Sequence, residues 1–126
     1  MANKRVLVID DDNGIREIIQ VSLEVVAGWE VITAASGREG LVKAQNEQPD
    51  LIILDFMMPD LDGQATFRQL QANVATQHIP TIFLTAKEVY YEEDDLINSG
   101  VTGIIHKPFD PPELVRQIQK FLHWQD

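Results

Sequence analysis

Cysteine is absent from the 126 residues, which removes disulfide frameworks, thiolate zinc sites and cysteine nucleophiles together, while leaving the redox compartment open. Long apolar runs are also missing: nothing approaches the ~20 consecutive residues that a membrane-spanning helix needs. The opening Met1-Ala2-Asn3-Lys4-Arg5 leads into a short apolar run that ends in acid, without the core or cleavage site of a signal peptide. Cytoplasmic residence is the expectation that follows. Basic residues are scarce, ten against twenty acidic ones for a formal charge of −10, so binding to a phosphate backbone would run against the field of the whole molecule. Most of these carboxylates read as ordinary solvated surface; the ones clustered at strand ends do not. The length matches the commonest domain size, and one unit spanning 1–126 is expected.

Four short apolar runs are present: Val6 to Ile9, Leu51 to Leu54, Ile82 to Leu84, and Ile104-Ile105. None alternates apolar with polar, which is the pattern of strands buried on both faces of a parallel sheet. A fifth strand is read around Glu30 to Ala34. Between the runs lie helical periods. Ile15, Ile18, Ile19, Leu23 and Val26 form one apolar stripe, with Asn13 read as its cap and Gly28 as its stop. Ser36 with Glu39 has capping-box spacing and opens a second helix through Leu41, Val42 and Ala44. A third follows Gly63 with Phe67 and Leu70, and a fourth is placed from about Tyr91 to Ser99, ending at Gly100. The last opens at Asp110-Pro111 with Glu113, and carries Leu114, Val115, Ile118, Phe121 and Leu122. Strand and helix thus alternate five times, the signature of an open α/β sheet.

In such sheets the ligand site lies beyond the carboxyl ends of the strands. The residues found there are Asp10, Asp11 and Asp12 after the first run, Asp55 after the second, Thr85 after the third, and His106 and Lys107 after the fourth. Carboxylates converging at one edge repel one another unless protonated or bridged, and oxygen ligands without His or Cys favour a hard cation such as Mg²⁺. A phosphoryl group on one carboxylate would then need a hydroxyl and an ammonium for its remaining oxygens, which Thr85 and Lys107 can supply. A lone Asp at a strand end is ordinarily a cap or turn former; agreement among four strand ends favours a site.

The segments Val-Leu-Val-Ile-Asp-Asp-Asp at 6–12, Leu-Asp-Phe-Met-Met-Pro-Asp-Leu-Asp-Gly at 54–63, Leu-Thr-Ala at 84–86 and Lys-Pro-Phe at 107–109 resemble, in order, the signatures of the response regulator receiver family. The resemblance covers essentially the whole chain. It implies a flavodoxin-like, doubly wound (βα)5 fold, with a five-stranded parallel sheet in the order 2-1-3-4-5 and helices on both faces. It also implies the roles. Asp55 is the phosphoacceptor; Asp11 holds Mg²⁺ (or Mn²⁺) directly and Asp10 partly through water, with Asp55 and the backbone carbonyl of Met57 completing the protein's ligands. Thr85 bonds the phosphoryl oxygens and Lys107 pairs with Asp55, aimed by a cis Lys107-Pro108 peptide. Asp12 falls outside the acidic pair and reads as a solvated or capping carboxylate.

A receiver of this kind takes its phosphoryl group from a sensor histidine kinase or histidine phosphotransfer protein, and catalyses only its own phosphorylation and dephosphorylation. Its expected output surface is the face of the fourth helix, fifth strand and last helix, rearranged through the loop from Thr85 to Val89. The partner there is a protein rather than nucleic acid or membrane, or the chain is a piece of a longer regulator. The protein itself is then a monomer or a weak phosphorylation-linked dimer. Where the family has an aromatic ring three residues before the lysine, this sequence has Ile104, with Tyr90 or Tyr91 as substitutes from the neighbouring loop. His106 reads as a polar residue near a strand end or a partner contact. Three other classes share parts of this pattern: a phosphohydrolase with Asp10 as nucleophile, a receiver that binds its partner without phosphorylation, and a flavin-binding protein, disfavoured because the acidic cluster would repel the flavin phosphate.

Overall fold

The computed structural model describes residues 4–59, 61–86 and 99–124. Five strands, β1 (Arg5–Ile9), β2 (Glu30–Ala34), β3 (Leu51–Asp55), β4 (Thr81–Ala86) and β5 (Gly103–Lys107), form one sheet in the order β2-β1-β3-β4-β5. All four pairings are parallel. The described helices are α1 (Asn13–Ser22), continued by a π-helical turn over Leu23–Ala27, then α2 (Gly37–Glu47), α3 (Gly63–Ala72) and α4 (Pro111–Leu122). The expected topology and fold class are therefore observed, including β2, which forms an edge strand. The helix expected from about Tyr91 lies outside the described residues up to Ser99, where a turn leads through Gly100 at φ 100°.

Side chains of a strand alternate between faces, and β1 divides accordingly. Val6 and Val8 join Ile19, Leu23, Leu114, Val115 and Ile118 in a core beneath α1 and α4. Leu7 and Ile9 join Ala44, Phe67 and Leu70 beneath α2 and α3. Two cores on one sheet explain why the strand runs show no polar alternation: neither face meets water.

Most helix ends follow their sequence signals. Ser36 accepts from the Glu39 N–H at 3.1 Å while Glu39 reaches back to the Ala35 N–H at 2.9 Å, and Asp110 caps α4 by accepting from Glu113 N–H at 2.8 Å. Gly28 ends the π-helical turn at φ 73°, in the left-handed region open to glycine. Three expectations need correction. The cap of α1 is Asp12, whose carboxylate accepts from the Ile15 N–H at 3.0 Å, and Asn13 is already inside the helix. Ile18 and Val26 leave the expected stripe and are exposed: the buried side of α1 carries Ile19 and Ser22, and that of the π-helical turn carries Leu23. Val42 is likewise exposed, on the outer side of α2.

Candidate functional site

Four of the five strands, β1, β3, β4 and β5, deliver polar groups to the carboxyl edge of the sheet. The apolar run of β1 ends at Ile9, and the chain turns into α1 across Asp10, Asp11 and Asp12. Asp10 is fully buried. Its Oδ1 accepts the Asp12 N–H at 2.9 Å, and its backbone carbonyl accepts from Arg16 Nη1 at 2.8 Å. Arg16 also bonds the Asn13 side chain, so one guanidinium ties the first turn of α1 to the strand end. Asp55 is the last residue of β3, buried, with Oδ1 3.4 Å from the Met57 N–H. Asp11 is exposed above them.

Oxygens of Asp10, Asp11 and Asp55 lie within 4.8 Å of one another. Lys107, at the end of β5, places its Nζ 3.4 Å from Asp55 Oδ1 and 3.7 Å from Asp10 Oδ2. One ammonium therefore faces two buried carboxylates, with Asp11 close to both of them. Burial, and then the neighbouring Asp10 charge, push the Asp55 carboxyl up to about 6 against the opposing pull of Lys107. Burial also raises Asp10, with the hydrogen bond from Asp12 and the Lys107 charge acting against it.

A divalent cation fits this arrangement on the site's own chemistry. Asp10 Oδ2 is a buried acceptor without a hydrogen-bond partner among the described residues, and the donor set is all oxygen, which suits a hard ion. Metal binding would supply both the missing partner and the missing positive charge.

Gly63 closes the site from below. Its N–H donates to the Phe56 carbonyl at 3.1 Å, and a Cβ there would stand 2.5 Å from the Asp55 carbonyl oxygen and 2.8 Å from Phe56 Cα. Backbone cannot yield to that contact, so only glycine lets α3 begin against the end of β3.

The comparisons with known proteins agree with the geometry. The family model described as "Response regulator receiver domain" matches residues 6–119. The chain belongs to that family. A receiver domain is a signalling module of two-component systems, and its relatives here include the alkaline phosphatase synthesis transcriptional regulatory protein PhoP of Bacillus subtilis, 38% identical over 95% of this chain and 49% of its own length. The receiver thus spans about half the length of the curated relatives it matches. Among solved structures, the chemotaxis protein CheY4 of Vibrio cholerae superposes with a TM-score of 0.86 at 36% identity, covering 95% of this chain and 99% of that one. The receiver domain of sensor histidine kinase PA1611 from Pseudomonas aeruginosa PAO1 superposes with a TM-score of 0.85 at 26% identity, covering 97% and 99%, and that structure has a magnesium ion coordinated in the active site cleft.

Of the residues singled out from the sequence of this receiver, Asp10, Asp11, Asp55 and Lys107 come together directly. The Lys107-Pro108 peptide is cis. Thr85 stands one register position beyond the partner of Asp55, which is Leu84; its hydroxyl meets the His106 ring, Oγ1 to Nδ1, at 3.0 Å. Met57 is exposed two residues past Asp55. Ile104 is half-buried against the core that contains Phe56, Phe67 and Phe83. Tyr90 and Tyr91, and the loop beyond Ala86, lie outside the described residues. Sequence reasoning passed over Arg16 and the Thr85–His106 contact. Arg16 had a usable signal, four residues after a capping Asp on the turn facing the strand end; the contact had none, since strand register decides it.

Proposed function

We propose that the receiver takes a phosphoryl group onto a carboxylate oxygen of Asp55 from a phosphohistidine donor. The convergence of three carboxylates within 4.8 Å beside one ammonium carries this reading. An oxygen of Asp55 attacks phosphorus in line, the bond from phosphorus to the donor imidazole breaks, and the imidazole leaves. In the resulting acyl phosphate Lys107 holds position beside Asp55 and pairs with a phosphoryl oxygen, while the Thr85 hydroxyl donates to another. Asp10, Asp11, Asp55 and the carbonyl of Met57 would hold Mg²⁺ (or Mn²⁺), and the bound ion would supply positive charge to offset that of the transferred group. The protein's own contribution is placement and electrostatics. Support for the cation comes from the orphaned Asp10 oxygen and from the magnesium in the PA1611 structure.

The donor is a sensor histidine kinase or phosphotransfer protein, as for two-component receivers at large. The dianionic product is read out through β5, α4 and the segment preceding Ser99, with a protein as the recipient. Incubation with acetyl phosphate and Mg²⁺ tests the reading: the adduct should map by mass spectrometry to the peptide containing Asp55. Labelling that maps to Asp10 instead would turn the reading toward an aspartyl phosphohydrolase.

Once formed, the acyl phosphate is open to water from the side of Met57, whose apolar side chain is 60% exposed. Met57→Asn exchanges an apolar screen for a group that can hold a water. Dephosphorylation should accelerate on the order of tenfold, equivalent to about 1.4 kcal/mol off the barrier. An unchanged decay of the label would dismiss the screening role.

A further inference from the structure

Strand alternation sorts the ends of β4 and β5. Phe83 and Ile104 pack on the side of α2 and α3, and two residues further on Thr85 and His106, register partners, share that face. Ile53 and Ile105 belong to the opposite core, so Asp55 and Lys107 follow the other alternation. The Thr85 hydroxyl, buried at 1% exposure, therefore meets its neighbour sideways along the sheet, at the 3.0 Å contact with His106 Nδ1. Phosphoryl oxygens are acceptors only, so Thr85 can serve them only by donating. If Nδ1 is the acceptor, the hydroxyl hydrogen is already committed; if Nδ1 carries the proton, the ring holds the oxygen in its present rotamer.

We propose that His106 is a positioning residue for the phosphoryl reaction: its ring retains the Thr85 hydroxyl on the β4–β5 side, and capture of a phosphoryl group at Asp55 trades that contact for a new one. The inference rests on the phosphoacceptor reading of Asp55. It makes His106 a brake on phosphoryl capture, acting through its contact with Thr85 at the strand end, and gives a role to a residue read from sequence as a polar strand-end residue or a partner contact.

The test compares His106→Leu with His106→Asn in the full chain, using beryllofluoride with Mg²⁺ as the probe and fluorine NMR or calorimetry as the readout. The two side chains have the same shape, but only the amide can still meet Thr85 Oγ1. His106→Leu should bind beryllofluoride tighter by roughly three- to tenfold, the range of one net hydrogen bond. His106→Asn should stay within about twofold of the parent, and in a Thr85→Val background His106→Leu should have no effect. Equal affinity in parent and His106→Leu, equal tightening by Leu and Asn, or tightening that survives Thr85→Val would each overturn the role of His106 while leaving Asp55 as acceptor. A parent protein that binds no beryllofluoride would overturn the acceptor reading and this inference with it.

Discussion

Asp55→Asn is expected to abolish labelling by acetyl phosphate and, in the metal-free protein near neutral pH, to raise the thermal midpoint. The two effects have one cause. Asp55 is 5% exposed and lies against a second buried carboxylate, with Lys107 as a shared counter-charge. Its carboxyl, held at about 6 instead of the ordinary 3.8, is thus less stable ionised in the folded protein than in the unfolded chain. The difference is of order 3 kcal/mol at neutral pH. An amide of the same shape removes that strain and leaves Lys107 facing Asp10. It also loses part of the attraction to Lys107, so a net gain of about 1–3 kcal/mol is expected, or roughly 3–10 °C for a domain of this size. Trp29, packed edge-to-face on Trp124 with ring centroids 5.1 Å apart, gives a fluorescence signal for the melt. A variant that loses labelling but melts lower than the parent would mean that Asp55 stabilises the resting fold, contrary to this account.

The same electrostatics explain why the site was legible in the sequence. Carboxylates, a hydroxyl and an ammonium immediately following buried strands can lie at only one edge of a parallel sheet, so Asp10, Asp55, Thr85 and Lys107 could be assigned to a common edge before any coordinates. Strand faces and helix caps followed from local chemistry for the same reason, as at Ser36 and Asp110. What escaped depended on phase and register. The π-helical turn at Leu23–Ala27 has no residue signature that separates it from an α-helix, and Val26 within it lies at the surface. Asp12 and Asn13 are both good caps, and only the path of the backbone out of β1 chooses between them. His106 meets Thr85 because β4 and β5 pair with those two residues opposite, a relation no single segment encodes.

Without a divalent cation, stability should fall as pH rises from about 4 to above 6, and Mg²⁺ should restore it. Between the ordinary carboxyl value of 3.8 and the folded-state value of about 6 for Asp55, the folded protein holds more protons than the unfolded chain. The unfolding free energy therefore declines across that window, and the loss is complete above it. The upward shift of Asp10 acts in the same direction. Glu39, lowered chiefly by its bond from the Ala35 N–H, acts in the opposite one, but on the surface, where solvent screens it. Mg²⁺ needs the carboxylates ionised, so protons compete with it at pH 5 and hardly at pH 8. At a hundred times its dissociation constant a ligand adds about 2.7 kcal/mol, and that gain should appear at pH 8 and shrink at pH 5. Thermal melts in chelator and in Mg²⁺ at the two pH values measure both slopes, and Asp55→Asn should flatten each of them. A Mg²⁺ gain of equal size at both pH values would separate the cation from these carboxylates, because no ion held by Asp10 and Asp55 can bind indifferently to the protons it must displace.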